Sequence, residues 1–480
     1  MKKNKAFFFI IYLFSFLFII IFILQINGKF IFNSQIKFVA IDDFTKKKKA
    51  SASIEKYGEK TKPVEANSES IILPFYESKS ESELNIYIDS LIKISKLDLN
   101  ESEFKQSAFL NNFKINGIYP LDSFFENLSK SDSANSLFRI AHYGDSQIEG
   151  DRMTFELRKL FHSKFLCEGV GYVPMKDITD PVSYIRHSNE SWVRYTVFTN
   201  KIKGFSYGQG GSVYRYSPSL NSSVSFNILS SYNKAYLYYG FGSDSSFLDV
   251  YSSKHNLLAS HHINQKSEFN TIDLNLSSNE ANLNFVFRGS SPSVYGVSFD
   301  ALKGIQFDNY GLRGQSGDGL MLIPQRQLID MYKKTNTCMA ILQFGGNVVQ
   351  GIKYEKSLNF YGDIYKKLYL HFKSVLSNGS VLIIGINDVS RSVNGGYESY
   401  PNISEMRYLQ RKSAVENGMA FFDIYQLMGG KNSVKIWNEK GLASRDGHYS
   451  DKGRNIVCKE IYKALIFEYN KYLKRKNKNT

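Results

Sequence analysis

The sequence predicts an α/β fold: a parallel sheet with helices on both faces, interrupted by an inserted β-sandwich and preceded by a membrane-spanning helix. Three observations carry this. Apolar runs at Leu137–Gly144, Gly304–Asn309, Met339–Phe344, Ser380–Ile386 and Met419–Asp423 alternate with segments of helical spacing, which implies a parallel sheet covered on both sides. Between about 182 and 300 the helical pattern stops, and short β-rich runs separated by Gly, Ser and Asn take over, the pattern of a sandwich. Ala6 to Ile26 is almost wholly apolar, with Ser15 and Gln25 the main exceptions.

That apolar stretch has the roughly 20-residue length a bilayer core needs. A basic start, Met1-Lys2-Lys3-Asn4-Lys5, places the N-terminus in the cytoplasm and exports the rest. A cleaved signal peptide is the rival, but its apolar core is shorter and ends in a small-x-small site; Gln25-Ile26-Asn27-Gly28 offers none. Residues 1–28 therefore read as an uncleaved anchor, with the Lys46–Lys49 run weakening the charge asymmetry. Residues 29–83 are rich in Lys, Ser and Glu, a composition that cannot offset ordering entropy, and read as a disordered tether. The span 84–180 opens with amphipathic helices, one carried by Leu84, Ile86, Ile88, Leu91, Ile92, Ile94 and Leu97, another by Leu121, Phe124, Phe125 and Leu128. It then supplies the first strand, the break at Gly144-Asp145-Ser146, and helical spacing through Ile148, Phe155, Leu157, Leu160 and Phe161. This order places Ser146 at a helix N-terminus, where backbone N–H groups and the dipole favour negative charge. A serine there is either a nucleophile or merely a helix cap.

The insert, 181–300, carries the β-runs Trp192–Thr199, Val213–Tyr216, Val224–Leu229, Ala235–Gly240, Phe247–Tyr251, Thr271–Leu276 and Leu283–Phe287. Its aromatics, among them Trp192, Tyr195, Tyr214, Tyr216, Tyr236, Tyr238 and Tyr239, either stack on sugars or fill the core, and β-propensity favours the core. Residues 301–472 complete the α/β domain with a helix near Tyr354–Leu376 and a closing helix from Asp451 to Tyr472, and 473–480 is a basic tail. Cys167, Cys338 and Cys458 lack metal spacing and read as buried thiols rather than a disulfide framework. The formal charge of +15 gathers largely in terminal and tether lysines, so solvated tails explain it, with attraction to an anionic envelope surface the alternative. Nucleic acid is excluded as a partner behind an export anchor.

In open parallel sheets ligands bind at the carboxyl ends of strands. Ser146, Gly314 and Asn347 follow strands, and Asp446-Gly447-His448 precedes the closing helix. A nucleophile, a base and oxyanion donors thus converge, which acyl transfer requires. Gly144-Asp145-Ser146, Asn309 with Gly314, Gly345-Gly346-Asn347 and Asp446-Gly447-His448 resemble the four blocks of the SGNH (GDSL-type) hydrolases. Segments 140–147, 342–349 and 441–446 are similar to bacterial peptidoglycan O-acetylesterases with an inserted, carbohydrate-module-like β-domain.

The resemblance implies an SGNH-type, flavodoxin-like three-layer α/β/α domain with the hydrolase part over 137–180 and 300–470. It makes Ser146 the nucleophile, His448 the base and Asp446 the group that orients the imidazole. The Ser146 and Gly314 N–H groups and the Asn347 amide would form the oxyanion hole. No cofactor or metal is implied. The family spaces its last block Asp-x-x-His, whereas Arg445 stands three before His448 and Asp446 only two before it. Either the loop adjusts so that Asp446 reaches the ring, or another acceptor does, or a Ser–His dyad remains. The implied function is an inner-membrane, periplasm-facing serine esterase that removes O-acetyl groups from a glycan such as peptidoglycan. An O-acetyltransferase of an envelope polysaccharide and a non-catalytic glycan-binding protein are the alternatives.

Overall fold

The computed structural model describes residues 79–479 apart from 132, 134–135, 166, 205, 218–221 and 277–279. The expected anchor at 1–28 and nearly all of the expected tether lie outside them. Among the described residues no helix is long and apolar enough to cross a membrane.

Six strands build the central sheet: β1 (Leu110–Asn111), β2 (Leu137–Gly144), β3 (Gly304–Gly311), β4 (Thr337–Gln343), β5 (Ser380–Ile384) and β6 (Ala420–Phe422). Their order is β1-β6-β5-β4-β2-β3, parallel except for β1 against β6. From β2 the chain steps first to β3 on one side and then to β4 on the other. The ends of β2 and β4 therefore flank a topological switch point, the crevice where such sheets bind ligands.

The strands are apolar on both faces because both are covered. Ile140, Ile341 and Leu382 join one core, and Tyr143, Leu342 and Ile383 the other. The first is roofed by α1 (Glu81–Ser95), α2 (Asp122–Lys130) and α3 (Arg152–Phe165). The second is roofed by α4 (Gln325–Thr335), α5 (Glu355–Val375) and α6 (Ile403–Glu416). Short helices α7 (Ile424–Met428) and α8 (Ser433–Glu439) lead to α9 (Asp451–Asn479), which returns to the first face.

Two element ends differ from expectation for electrostatic reasons. Helix α1 starts at Glu81, inside the stretch read as tether, because Ser80 and Glu83 form a reciprocal capping box. Helix α9 continues through the stretch read as a basic tail. There Arg475 pairs with Asp122 (2.5 Å) and Lys476 with Glu126 (2.8 Å), so part of the terminal charge is neutralised in pairs rather than solvated.

Two antiparallel sheets form the sandwich. One runs Leu257–His262, Ser246–Ser252, Asn282–Gly289, Ser222–Ile228, Tyr184–Ser188. The other runs Asn270–Asp273, Lys234–Tyr239, Val294–Asp300, Ser212–Tyr216, Trp192–Thr196, with Gly171–Val173 added beside Val294–Asp300. Five of the seven aromatics singled out for sugar stacking are buried, and Tyr195 and Tyr236 are half-buried. Trp192 is buried with its ring 5.0 Å from Phe287 and 5.2 Å from Tyr216. Tyr214, Tyr238 and Tyr239 are also buried.

A buried charge cluster ties the sandwich to the sheet. Arg139 of β2 bonds Asp308 of β3 at 2.9 Å and also Asp300, the last residue of the final sandwich strand. Asp308 in turn accepts the backbone N–H of Tyr172 at 2.9 Å. Burial works against the Arg139 charge, but the two carboxylates more than offset it and hold its pKa well above the ordinary value. All three cysteines are buried and free.

Candidate active site

The turn after β2 carries Ser146. The Asp145 carbonyl accepts from Glu149 N–H at 3.1 Å, and the Asp145 carboxylate accepts from Gln147 N–H at 3.0 Å. Ser146 does not sit at a helix N-terminus, contrary to the sequence expectation. Helix α3 starts only at Arg152, after a 3-10 turn that kinks where Gly150 (φ 69°) and Asp151 (φ 63°) take left-handed conformations. The kink is pinned from outside. Asp151 pairs with Arg158 (2.7 Å), and Gly150 accepts from Val182 N–H (3.0 Å). A side chain at Gly150 would come within 2.9 Å of the Asp180 carbonyl. The dipole of α3 therefore does not start at Ser146. Asn309 braces that turn by donating to the Ile148 carbonyl at 2.9 Å.

Ser146 Oγ lies 2.7 Å from His448 Nε2, and His448 Nδ1 lies 2.9 Å from Asp446 Oδ2. With the imidazole proton on Nδ1, Asp446 accepts it and Nε2 is left to receive the serine hydroxyl. Of the geometries left open by the short spacing, the structure has the one in which the loop adjusts. Gly447 makes the adjustment in a left-handed conformation, φ 85°, which a glycine adopts without strain. The turn closes with Gly447 N–H on the Ser444 carbonyl (3.0 Å) and Ser444 N–H on the His448 carbonyl (2.8 Å). Asp446 itself is largely exposed. Burial raises its pKa, but hydrogen bonds from Ser444 and His448 outweigh this and hold it below the ordinary value.

Asn347 approaches from the loop after β4. Its amide donates to Asp145 Oδ2 (3.1 Å) and to the Gln315 carbonyl (3.0 Å), so both amide protons have partners here. Gly314 adjoins Gln315 but does not line the cleft around Ser146. That cleft, about 490 Å³, is bounded by Ser146, His448, Asp446, Asn347, Asn387 and the segment Ser390-Arg391-Ser392. Asp145 is buried beneath it, and burial pushes its pKa up to about 6 against smaller pulls from Gln147 N–H and His448. Among the described residues no group of three or more His, Cys, Asp or Glu side chains is placed to hold a metal ion.

Sequence reading passed over two residues of the site. Gln147 donates to the Gly447 carbonyl (2.6 Å) and accepts from Tyr449 N–H (3.4 Å), gripping the chain on both sides of His448. Asn387 donates to the same Gly447 carbonyl at 3.0 Å. Gln147 was discoverable as a long amide directly after the candidate nucleophile. Asn387 carried no signal, because its partner is distant in sequence.

Neither family models nor curated protein sequences match the chain. Solved structures do. A peptidoglycan O-acetylesterase superposes with a TM-score of 0.61 at 18% identity, covering 75% of this chain and 99% of its own. An acetyl xylan esterase covers 34% of this chain and 80% of its own at 16% identity and a TM-score of 0.26. An acetylxylan esterase from Geobacillus stearothermophilus covers 35% and 74% at 16% identity and a TM-score of 0.25. The chain resembles the SGNH (GDSL-type) hydrolases, and it shares the fold of the O-acetylesterase over most of its length.

Two expectations follow. Gln147→Ala frees the loop that presents His448. The rate at which a fluorophosphonate labels Ser146 should then fall by at least about tenfold, part of the 10²–10⁴ that a positioned base supplies; an unchanged rate would remove Gln147 from the site. Asp145 gives a pH test. A carboxyl raised from 3.8 to about 6 contributes stability that is full below the lower value and lost as pH rises through the higher one. Asp145→Asn removes that titration, so between pH 4.5 and 7.5 urea unfolding should shift in the variant's favour by roughly 2 kcal/mol. A stability difference independent of pH would contradict this.

Proposed function

We propose that the chain is a serine esterase that removes small acyl groups, most simply O-acetyl, from a glycan of the cell envelope such as peptidoglycan. The observation that carries the reading is the continuous Ser146–His448–Asp446 chain of hydrogen bonds opening on a cleft. A fold shared with a peptidoglycan O-acetylesterase supports it. In the proposed reaction Ser146 Oγ attacks the ester carbonyl while His448 Nε2 takes its proton. Asp446 stabilises the imidazolium. The sugar hydroxyl leaves with that proton, and a water activated by His448 then releases the acid from the acyl-serine.

The Ser146 N–H and the Asn347 amide are the proposed oxyanion donors, each worth on the order of 3 kcal/mol of barrier; Gly314, expected as a third donor, stands outside the lining of this cleft and would serve only if its loop moved in as substrate binds. Asn347 must release Asp145 or the Gln315 carbonyl to serve, so its contribution is made as substrate arrives. A glycan hydroxyl in place of water would give the acetyltransferase alternative with the same residues. A decayed triad is disfavoured, because the short Asp446–His448 spacing is geometrically competent. We place the catalytic part on the periplasmic side of the inner membrane, anchored through residues 1–28.

Acetate release from O-acetylated peptidoglycan by the full chain tests this. Ser146→Ala should abolish release, and Asp446→Ala should lower kcat by about 10⁴, the scale on which a triad loses its carboxylate. No release from peptidoglycan or from an aryl acetate by the wild type would sink the esterase reading.

A further inference from the structure

An acetyl group fills little of the cleft beside Ser146. At about 490 Å³ it is within the range that holds whole small ligands, roughly 300–1,000 Å³. One wall is a hairpin, Ser390–Val393 paired with Gly396–Ser399. Its residues are exposed or half-buried except Ser399, so apolar packing does not hold it. Polar bonds do. Buried Asp388 accepts from Ser399 Oγ (2.6 Å) and from Val434 N–H (3.0 Å). Ser390 Oγ donates to the Arg445 carbonyl (2.5 Å), and the Arg445 guanidinium lies 4.4 Å over the Tyr397 ring. The wall is thereby tied to the loop that carries Asp446 and His448.

Arg391 lines the cleft from this wall, and the other charged lining residues are Asp145 and Asp446. Both aspartates are committed, one to Asn347 and Gln147, the other to His448. Arg391 bonds neither Ser146 nor His448; one of its donors meets Glu398 at 2.8 Å in an exposed pair, an interaction of small worth. A guanidinium has five donors in a planar fork that matches a carboxylate. Gln350, Ser392 and Tyr400 add hydroxyl and amide groups to the lining, which suit sugar hydroxyls.

We propose that Arg391 is a specificity-determining residue that receives the carboxylate of an acidic O-acetylated glycan, one whose acid group lies on or beside the acetylated sugar. This rests on the esterase reading of the same cleft. It predicts discrimination by charge, which an enzyme for neutral glycans would lack.

The probes are O-acetylated peptidoglycan fragments and the same fragments after carbodiimide amidation of their carboxylates. The full-length wild type should prefer the charged form by roughly tenfold in kcat/KM, through KM, with the preference shrinking as salt screens it. Arg391→Gln should erase the preference and Arg391→Lys should keep part of it, with unchanged melting temperatures. Binding of both forms to Ser146→Ala, alone and combined with Arg391→Gln, reads the same preference without turnover. A preference that survives Arg391→Gln, or is absent from the wild type, overturns the proposal. A binding preference that Arg391→Gln abolishes, in a chain that releases no acetate, would sustain the acid subsite and overturn the esterase reading.

Discussion

The site depends on a turn with a single residue between its acid and its base. Asp446 reaches back to His448 Nδ1 because Gly447 adopts φ 85°. A Cβ on that residue would stand 2.8 Å from Asn387 Nδ2 and 2.9 Å from the Asp388 carbonyl. The absence of a side chain therefore allows both the tight backbone and its close seat on the loop after β5. That seat in turn lets Gln147 and Asn387 converge on the Gly447 carbonyl. A longer Asp-x-x-His loop would have to be held differently. Arg445, which stands where that acid would be, acts instead as an anchor for the hairpin wall.

The sheet order supplies the rest. Stepping from β2 to β3 and back to β4 puts Ser146, Asn347 and Gln315 around one crevice. The sandwich enters after α3 and leaves into β3, whose first residue, Gly304, pairs with Leu137 at the end of β2 away from the nucleophile turn. Arg139, Asp300 and Asp308 lock the return crossing against β2. Removing one member of such a buried cluster leaves a charge without its partner, which costs more than the cluster contributes. The insert touches the nucleophile turn itself through Val182 N–H on the Gly150 carbonyl and Ser183 Oγ on the Asp151 carboxylate.

Much of this was legible in the sequence. Strands buried on both faces are continuous apolar runs, which is why β2, β4 and β5 are plain, and residue types at strand ends pointed to Ser146, Asn347 and His448. Three things were not legible. Helices α4 and α6 carry many polar residues, and only their packing on the sheet makes them stand out. The Gly150–Asp151 kink is fixed by partners far along the chain, Arg158, Val182 and Ser183, so local spacing read one uninterrupted helix there. The reach of Asp446 to the imidazole is set by a backbone angle that residue spacing cannot convey.

The most direct test of the account is the low-field proton NMR spectrum of residues 75–480, which form one compact unit. If Asp446 holds the Nδ1 proton of His448, an imidazole N–H resonance should appear downfield of the amide envelope. It should persist in Ser146→Ala and vanish in Asp446→Ala. A spectrum without that resonance, or one in which it survives Asp446→Ala, would contradict the claim that this short turn completes the triad.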